Sequence, residues 1–90
     1  MSALDPERTA REHLDMPTEI AVASLDVRDL GPPKPLQNTL ERLVELDDET
    51  ALVQINDRAP QHLYPKLESR GYSYDTVETQ GAVVTGIWQS

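Results

Sequence analysis

The sequence lacks cysteine altogether, and it contains no phenylalanine. The absence of thiols excludes disulfides, thiolate metal sites and a cysteine nucleophile. Aromatic residues are scarce, with one Trp and three Tyr, so the core must be built from Leu, Val, Ile and Ala. No apolar run approaches the roughly 20 residues that cross a membrane, and no apolar signal segment is expected near residues 1–15. With 90 residues, the chain fits a single domain of modest stability.

Positive charge is also scarce. Lys and Arg total 8 against 16 Asp and Glu, which gives a net charge of −8. Such a protein repels nucleic acid and anionic lipid, so neither is an expected partner. Lysine occurs only at Lys34 and Lys66. A surface rich in carboxylates and poor in lysine is typical of halophilic proteins, and we expect a cytoplasmic protein of a halophile. An ordinary acidic protein is the alternative.

Hydrophobic periodicity predicts the element order β-α-β-α-β-β. The first helix has Pro35 in its first turn and carries an apolar stripe of Leu36, Leu40, Leu43 and Val44. The second starts near Pro60, and Gly71 is predicted to cap its C-terminal end. Four strands are predicted at residues 20–27, 51–55, 72–78 and 82–88, the last two joined by a turn at Gln80-Gly81. Within the second helix, Pro65 predicts an irregular first turn.

This order predicts an α/β (α+β) two-layer sandwich. A right-handed crossover makes the first two strands parallel, and the final hairpin is antiparallel. The four-stranded mixed sheet should carry two helices on one face and leave the other partly exposed. Residues 1–18 are expected to form a flexible tail, because Ala10 and Leu14 offer little to bury. Residues 19–90 form the predicted domain.

The segment from Leu25 to Leu36 (LDVRDLGPPKPL) resembles the opening of TusA-like sulfur carrier proteins, which share this element order. Their motif places a persulfide-carrying Cys before Pro-x-Pro, and Pro32 stands at that position here. Asp29 stands where the family usually has Gly. The matching residues are Leu25, Asp26, Leu30, Pro33 and Pro35. Because the chain has no thiol, sulfur relay through a cysteine persulfide is not available to it.

A second segment, Asn56 to Leu63 (NDRAPQHL), extends the similarity. Together the two segments resemble the TusA-related (SirA-like) domain of unknown function 2249, over residues 25–88. In that family the domain occurs alone or beside hemerythrin-like or cupin domains, often in respiratory or nitrogen-oxide contexts. The resemblance therefore implies a TusA-like fold and a link to redox metabolism. The acidic composition suggests a haloarchaeal member.

Basic residues follow both parallel strands of the predicted sheet. Arg28 and Lys34 come after the first strand, and Arg58 comes after the second. The carboxyl ends of parallel strands share one edge with the helix N-termini, and helix N-termini favour anions. We therefore expect a site for a small anion, or for a carboxylate or phosphate of a partner. The alternative is local pairing of the arginines with Asp26, Asp29 and Asp57.

Three polar residues accompany these cations. Asn56 and Asp57 can cap the second helix or hydrogen-bond a ligand at the same edge. His62 can act as an acid or base near pH 7, or it is simply a surface residue. A metal site needs three or four ligands, and the other histidine, His13, is distant in sequence. No metal or other cofactor is predicted. The tyrosines at 64, 72 and 74 mark either an interaction surface or packing of the last strands.

The sequence therefore predicts a monomeric, non-catalytic binding or accessory module whose partner is a small anion or another protein. The predicted binding residues are Arg28, Lys34, Asn56, Asp57, Arg58 and His62. The alternative is an enzyme or carrier that acts on a small anionic substrate through His62 and Asp57, assisted by Arg28 and Arg58.

Overall fold

A computed structural model describes residues 5–17, 19–31, 33–79 and 81–89. In chain order the elements are α1 (Pro6–His13), β1 (Ala21–Asp26), α2 (Lys34–Glu45), β2 (Thr50–Asn56), α3 (Leu63–Ser69), β3 (Tyr72–Thr79) and β4 (Ala82–Gln89). The predicted order β-α-β-α-β-β is confirmed, with α1 placed before it. Pro32, at the position of the carrier cysteine, and Gln80, of the predicted turn, lie outside the described residues. No helix in the described part of the chain is long and apolar enough to cross a membrane.

The four strands form one mixed sheet in the order β1-β2-β4-β3. β1 and β2 run parallel, with Ala21 opposite Thr50 and Asp26 opposite Ile55. β4 lies between β2 and β3 and is antiparallel to both. The predicted mixed sheet is therefore confirmed, and the carboxyl ends of β1 and β2 lie side by side at one edge.

One face of the sheet carries α2 and α3, as predicted. Leu43 of α2 packs with Leu63 and Leu67 of α3 against Leu52 and Ile87 of the sheet. Successive strand residues point to opposite faces, so every second residue of β2 belongs to this layer. These five side chains are at most 5% exposed and form one of the two clusters of the core.

The opposite face is covered by α1, contrary to the expectation of a partly exposed face beside a flexible tail. Ala10, Leu14 and Met16 are buried against a sheet surface formed by Ala51, Val53 and Val84. The Asp5 side chain caps α1 by accepting a hydrogen bond from the Arg8 backbone N–H at 3.2 Å. Three apolar side chains are enough because Gly86 of β4 leaves space for two of them, Leu14 and Met16. Residues 1–4 and 18 of the expected tail lie outside the described residues.

Prolines and a glycine explain where α2 and α3 begin and end. α2 begins at Lys34, with Pro35 in its first turn as predicted. α3 begins at Leu63, later than predicted, so Pro65 also falls in the first turn. The N–H groups of the first helical turn have no intrahelical acceptor. Proline has no N–H, so it loses no hydrogen bond at these positions. Gly71 has a φ of +84° directly after the cap of α3, which confirms its predicted role in ending that helix.

Candidate functional site

A cleft opens at the edge where β1 and β2 end and where α2 and α3 begin. Its volume is about 710 Å³. One wall comes from the loop after β1 and the first turn of α2, and the other from the segment that leads into α3. The lining consists of Leu30, Pro33, Pro35, Leu36, Gln54 and all residues from 56 to 63. The cleft therefore brings together the two segments that carry the family resemblance.

The cleft contains most of the predicted binding residues but not all of them. Asn56, Asp57, Arg58 and His62 line it. Asn56 is only 6% exposed, whereas the other three are exposed. Arg28 and Lys34 are absent from the lining formed by the described residues. Of the three cations predicted to meet at this edge, only Arg58 lines the cleft within the described residues.

Arg28 is held by a neighbouring carboxylate. Its Nη2 lies 2.6 Å from Asp26 Oδ2, and its Nε lies 3.0 Å from Asp26 Oδ1, which makes a bidentate pair. The hydrogen bonds from this guanidinium lower the pKa of the Asp26 carboxyl. The alternative of local pairing therefore describes Arg28, because its planar donor groups already meet an anion of the protein.

Arg58 is held much less firmly. Its Nε lies 3.3 Å from Asp57 Oδ1, and the two side chains are 80% and 55% exposed. An exposed pair with one long contact contributes little to stability. Within the described residues, the Nη groups of Arg58 donate to no acceptor. Arg58 can therefore turn towards a ligand without breaking a strong ion pair.

His62 stands at the N-terminal boundary of α3 and is exposed. Its side chain makes no hydrogen bond or ion pair with any residue that the structure describes. Asp57 lines the same cleft, but its recorded side-chain partner is Arg58. No group of three or more His, Asp or Glu side chains across the described ranges is arranged to hold a metal ion. Acid–base work by His62 stays a prediction.

A buried polar chain beneath the cleft was missed by sequence reasoning. Thr39 Oγ1 donates to the Pro35 carbonyl at 2.7 Å and accepts from Gln54 Nε2 at 2.8 Å. Gln54 Oε1 in turn accepts from Asn56 Nδ2 at 3.5 Å. Thr39 and Gln54 are fully buried. The signal in the sequence was that periodicity puts both polar side chains on the inward faces of α2 and β2.

The tyrosines stabilise the layer between α3 and β3. The rings of Tyr64 and Tyr74 stack with their centroids 4.6 Å apart. Tyr64 Oη shares a 2.7 Å hydrogen bond with Thr76 Oγ1, and Tyr74 Oη donates to Glu68 Oε2 at 2.5 Å. The hydrogen bond to this carboxylate raises the pKa of Tyr74. Of the two interpretations, packing of the last strands describes these residues.

Comparison with known proteins identifies the family. No curated protein sequence matches the chain. The fold is similar to the crystal structure of a SirA-like protein from Desulfitobacterium hafniense, with a TM-score of 0.64 and 22% sequence identity. The match covers 77% of this chain and 99% of that one. Residues 24–88 match the family model described as uncharacterized conserved protein (DUF2249). This match shows that the chain belongs to the DUF2249 family, and its four-stranded mixed sheet and helices have a SirA-like (TusA-like) fold.

Proposed function

We propose that the protein is a small non-catalytic binding module that holds a small anion, or an anionic group of a partner protein, in the cleft between α2 and α3. The observation that carries the proposal is the cleft itself. It joins apolar walls to one loosely held cation, Arg58, and one nearly buried amide, Asn56. Its volume of about 710 Å³ falls in the range of small-molecule sites, roughly 300–1,000 Å³.

The composition of the cleft supports binding over catalysis. Within the described residues, the lining contains no Ser, Thr, Cys, Tyr or Lys, so it offers no hydroxyl, thiol or amine nucleophile. A carrier that holds its cargo on a hydroxyl, thiol or amine needs such a group, and the family position of the carrier cysteine is Pro32 here. The alternative of an enzyme acting through His62 and Asp57 lacks comparable support, since no hydrogen bond joins these two side chains in the described part of the chain.

We place this module in the cytoplasm of a halophile, as a monomer linked to redox or respiratory metabolism. The acidic composition supports the halophilic setting. The metabolic link rests on the family resemblance alone. In molar salt, chloride competes for any simple cation, so a specific ligand must also gain directional hydrogen bonds.

Nuclear magnetic resonance titration tests the proposal. Phosphate, nitrite, sulfite and a panel of carboxylates are added separately at constant ionic strength while backbone amide signals are followed. At least one anion should shift the signals of residues 56–63 and of Leu36 before others, because these residues line the cleft. Shifts that scatter over the surface for every anion would overturn the proposal.

A matched pair of arginine substitutions locates the charge. Arg58→Gln should weaken the response, because it removes the cation at the cleft. Arg70→Gln removes another exposed arginine, which lies outside the cleft lining, and should leave the response unchanged. If both variants weaken binding equally, the protein attracts anions only through its overall charge.

A further inference from the structure

The buried polar chain beneath the cleft has one direction. The Pro35 carbonyl can only accept a hydrogen bond, so the Thr39 hydroxyl donates its single hydrogen to it, at 2.7 Å. Thr39 Oγ1 must then accept from the amide nitrogen of Gln54, at 2.8 Å. This contact turns Gln54 Oε1 towards Asn56. The Pro35 carbonyl and the Thr39 hydroxyl of α2 therefore fix the orientation of the Gln54 side-chain amide.

The backbone of Asp57, at the other end of the polar chain, fixes the orientation of the Asn56 side-chain amide. The backbone N–H of Asp57 can only donate, and it donates to Asn56 Oδ1 at 2.7 Å. Asn56 must consequently turn its Nδ2 away from that bond, towards Gln54 Oε1. A carbonyl at one end and an N–H at the other thus set both amides in a single arrangement, with every donor facing the same way along the chain.

This arrangement leaves Asn56, a residue of the cleft lining, with an unused donor. Its Nδ2 carries two hydrogens, and its contact with Gln54 Oε1 is long, at 3.5 Å. No other acceptor for this nitrogen exists among the described residues. An amide hydrogen without an acceptor is more costly in a buried position than an unused lone pair. Asn56 is only 6% exposed and lines the cleft. The cleft therefore favours a ligand that brings an oxygen acceptor to the Asn56 amide.

The walls and the rim restrict the ligand further. Leu30, Pro33 and Pro60 contribute apolar surface, and prolines have no N–H to offer. A phosphate or sulfate would lose much hydration against such walls without compensation. A short branched carbon body would instead bury apolar surface there. At the rim, Arg58 supplies a positive charge that is only loosely paired.

Resting on the proposed function and naming its ligand class, we infer that the cleft binds a small organic monocarboxylate with a short apolar body. One carboxylate oxygen accepts the free hydrogen of Asn56 Nδ2, Arg58 turns to the anion, and the apolar body lies against the proline-rich walls. Asn56 is the residue that determines specificity. The ligand is a free small acid and not the carboxylate of a protein partner.

Isothermal titration calorimetry with three probes at constant ionic strength tests this assignment on the unmodified protein. Isovalerate should bind at least about tenfold more tightly than isovaleramide, which lacks the charge, because a charge-assisted hydrogen bond is lost. Isovalerate should also bind at least about tenfold more tightly than inorganic phosphate, which lacks the apolar body. The side-chain amide signals of Asn56 should shift more than those of any other Asn or Gln on titration.

Two asparagine variants provide the matched control. Asn56→Asp replaces the donor by a second carboxylate and should weaken isovalerate binding at least about tenfold. Asn38→Asp makes the same charge change at an exposed position of α2 and should leave binding unchanged. Circular dichroism checks that both variants fold. If Asn56→Asp does not fold, the comparison of the three probes on the unmodified protein decides the matter.

The outcomes separate this inference from the proposed function. If phosphate or isovaleramide shifts the cleft signals as strongly as isovalerate, the cleft binds ligands but the monocarboxylate assignment is wrong. If a short peptide ending in an unblocked Leu binds more tightly than isovalerate, the ligand belongs to a protein partner and the assignment of a free acid is overturned. If no probe shifts the cleft signals, the proposed function fails as well.

Discussion

Gly86 of β4 faces Leu14 so closely that a Cβ atom added at Gly86 would lie 3.0 Å from Leu14 Cδ1. Such an atom would also lie 3.2 Å from Met16 Sδ. The backbone of Gly86 does not need the left-handed region, so the glycine is there for space and not for its φ angle. The missing side chain lets the segment after α1 lie directly on the sheet.

Filling this space should loosen α1 from the sheet. We expect Gly86→Val to destabilise the protein by about 1–3 kcal/mol, because the added methyl groups displace Leu14 and Met16. Gly86→Ala should change the free energy of unfolding by less, since the two contacts are with the ends of flexible side chains. Urea unfolding followed by circular dichroism measures both effects.

A truncated chain distinguishes this cause from a general defect in β4. Removal of residues 1–16 takes away α1, Leu14 and Met16 together. In that background Gly86→Val should no longer be destabilising, because the two close neighbours are gone and the remaining one, Trp88 Cζ3, lies at an ordinary contact distance of 3.8 Å. An undiminished cost in the truncated protein would show that the substitution acts on the strand itself.

The polar chain beneath the cleft should contribute to stability through Thr39. Thr39→Val keeps the shape of the side chain but removes the hydroxyl that accepts from Gln54 Nε2. We expect a loss of about 1–3 kcal/mol in the free energy of unfolding, because a fully buried amide donor is left without its acceptor. Thr39→Ser keeps the hydroxyl and should lose less. If the serine variant is the less stable of the two, packing and not hydrogen bonding is the role of Thr39.

The ion pair of Arg28 and Asp26 should be visible as a pH effect. The pKa of Asp26 is lowered below its ordinary value of 3.8, chiefly by the hydrogen bonds from Arg28. A lowered pKa contributes stability that is present above pH 3.8 and is lost as the pH falls through the folded-state value. Because both side chains are about half exposed, the contribution to stability is small.

Carboxyl carbon titration by nuclear magnetic resonance measures this effect directly. Arg28→Gln should raise the pKa of Asp26 towards its ordinary value. Arg42→Gln, which breaks the exposed pair with Glu45 on α2, should leave the titration of Asp26 unchanged. An Asp26 pKa that does not move in Arg28→Gln would contradict the ion pair.

Salt should stabilise the fold. With 16 carboxylates against 8 Lys and Arg, like charges repel one another until counterions screen them. We expect the thermal midpoint measured by circular dichroism to rise from low salt to molar KCl or NaCl. Sodium sulfate at matched ionic strength distinguishes charge screening from a general salting-out effect. An unchanged midpoint in KCl and NaCl would end the halophile interpretation.

The chain should not accept sulfur. Incubation with a cysteine desulfurase and cysteine should leave the mass of the intact protein unchanged, because there is no thiol to form a persulfide. A TusA-like carrier that retains its cysteine serves as the positive control. A mass gain of one sulfur on this chain would show that another group carries it.

Strong local patterns made most of the fold predictable. Alternation in β2 and the leucines of α2 placed the core correctly, and Gly71 marked the end of α3. Val44 was wrongly assigned to the buried stripe: it is 72% exposed, because the buried face of α2 is centred on Thr39 and Leu43. α1 was missed for a physical reason. Its few buried side chains suffice only because Gly86, some 70 residues away in sequence, leaves a place for Leu14 and Met16. A long-range fit of this kind leaves no mark on local periodicity.

The candidate site was predictable to a similar degree. The rule that carboxyl ends of parallel strands share an edge correctly brought Asn56, Asp57, Arg58 and His62 to one cleft. For Arg28 the sequence offered two outcomes, a place at the cleft or local pairing with Asp26, and it could not choose between them, because competition between neighbouring ion pairs depends on side-chain geometry. The hydrogen bond between Thr39 and Gln54 was not predictable for another reason. The two side chains meet only when α2 packs over β2.

The position of β4 has a consequence for how the protein is made. This strand is the last element in the sequence, yet it lies between β2 and β3 and also supports α1. During synthesis, β2 and β3 therefore have no strand to join them in the sheet until β4 has been made. The chain should stay largely open to proteases through most of its synthesis, and a ribosome stalled before residue 82 should hold a nascent chain in which β3 is not joined to β1 and β2.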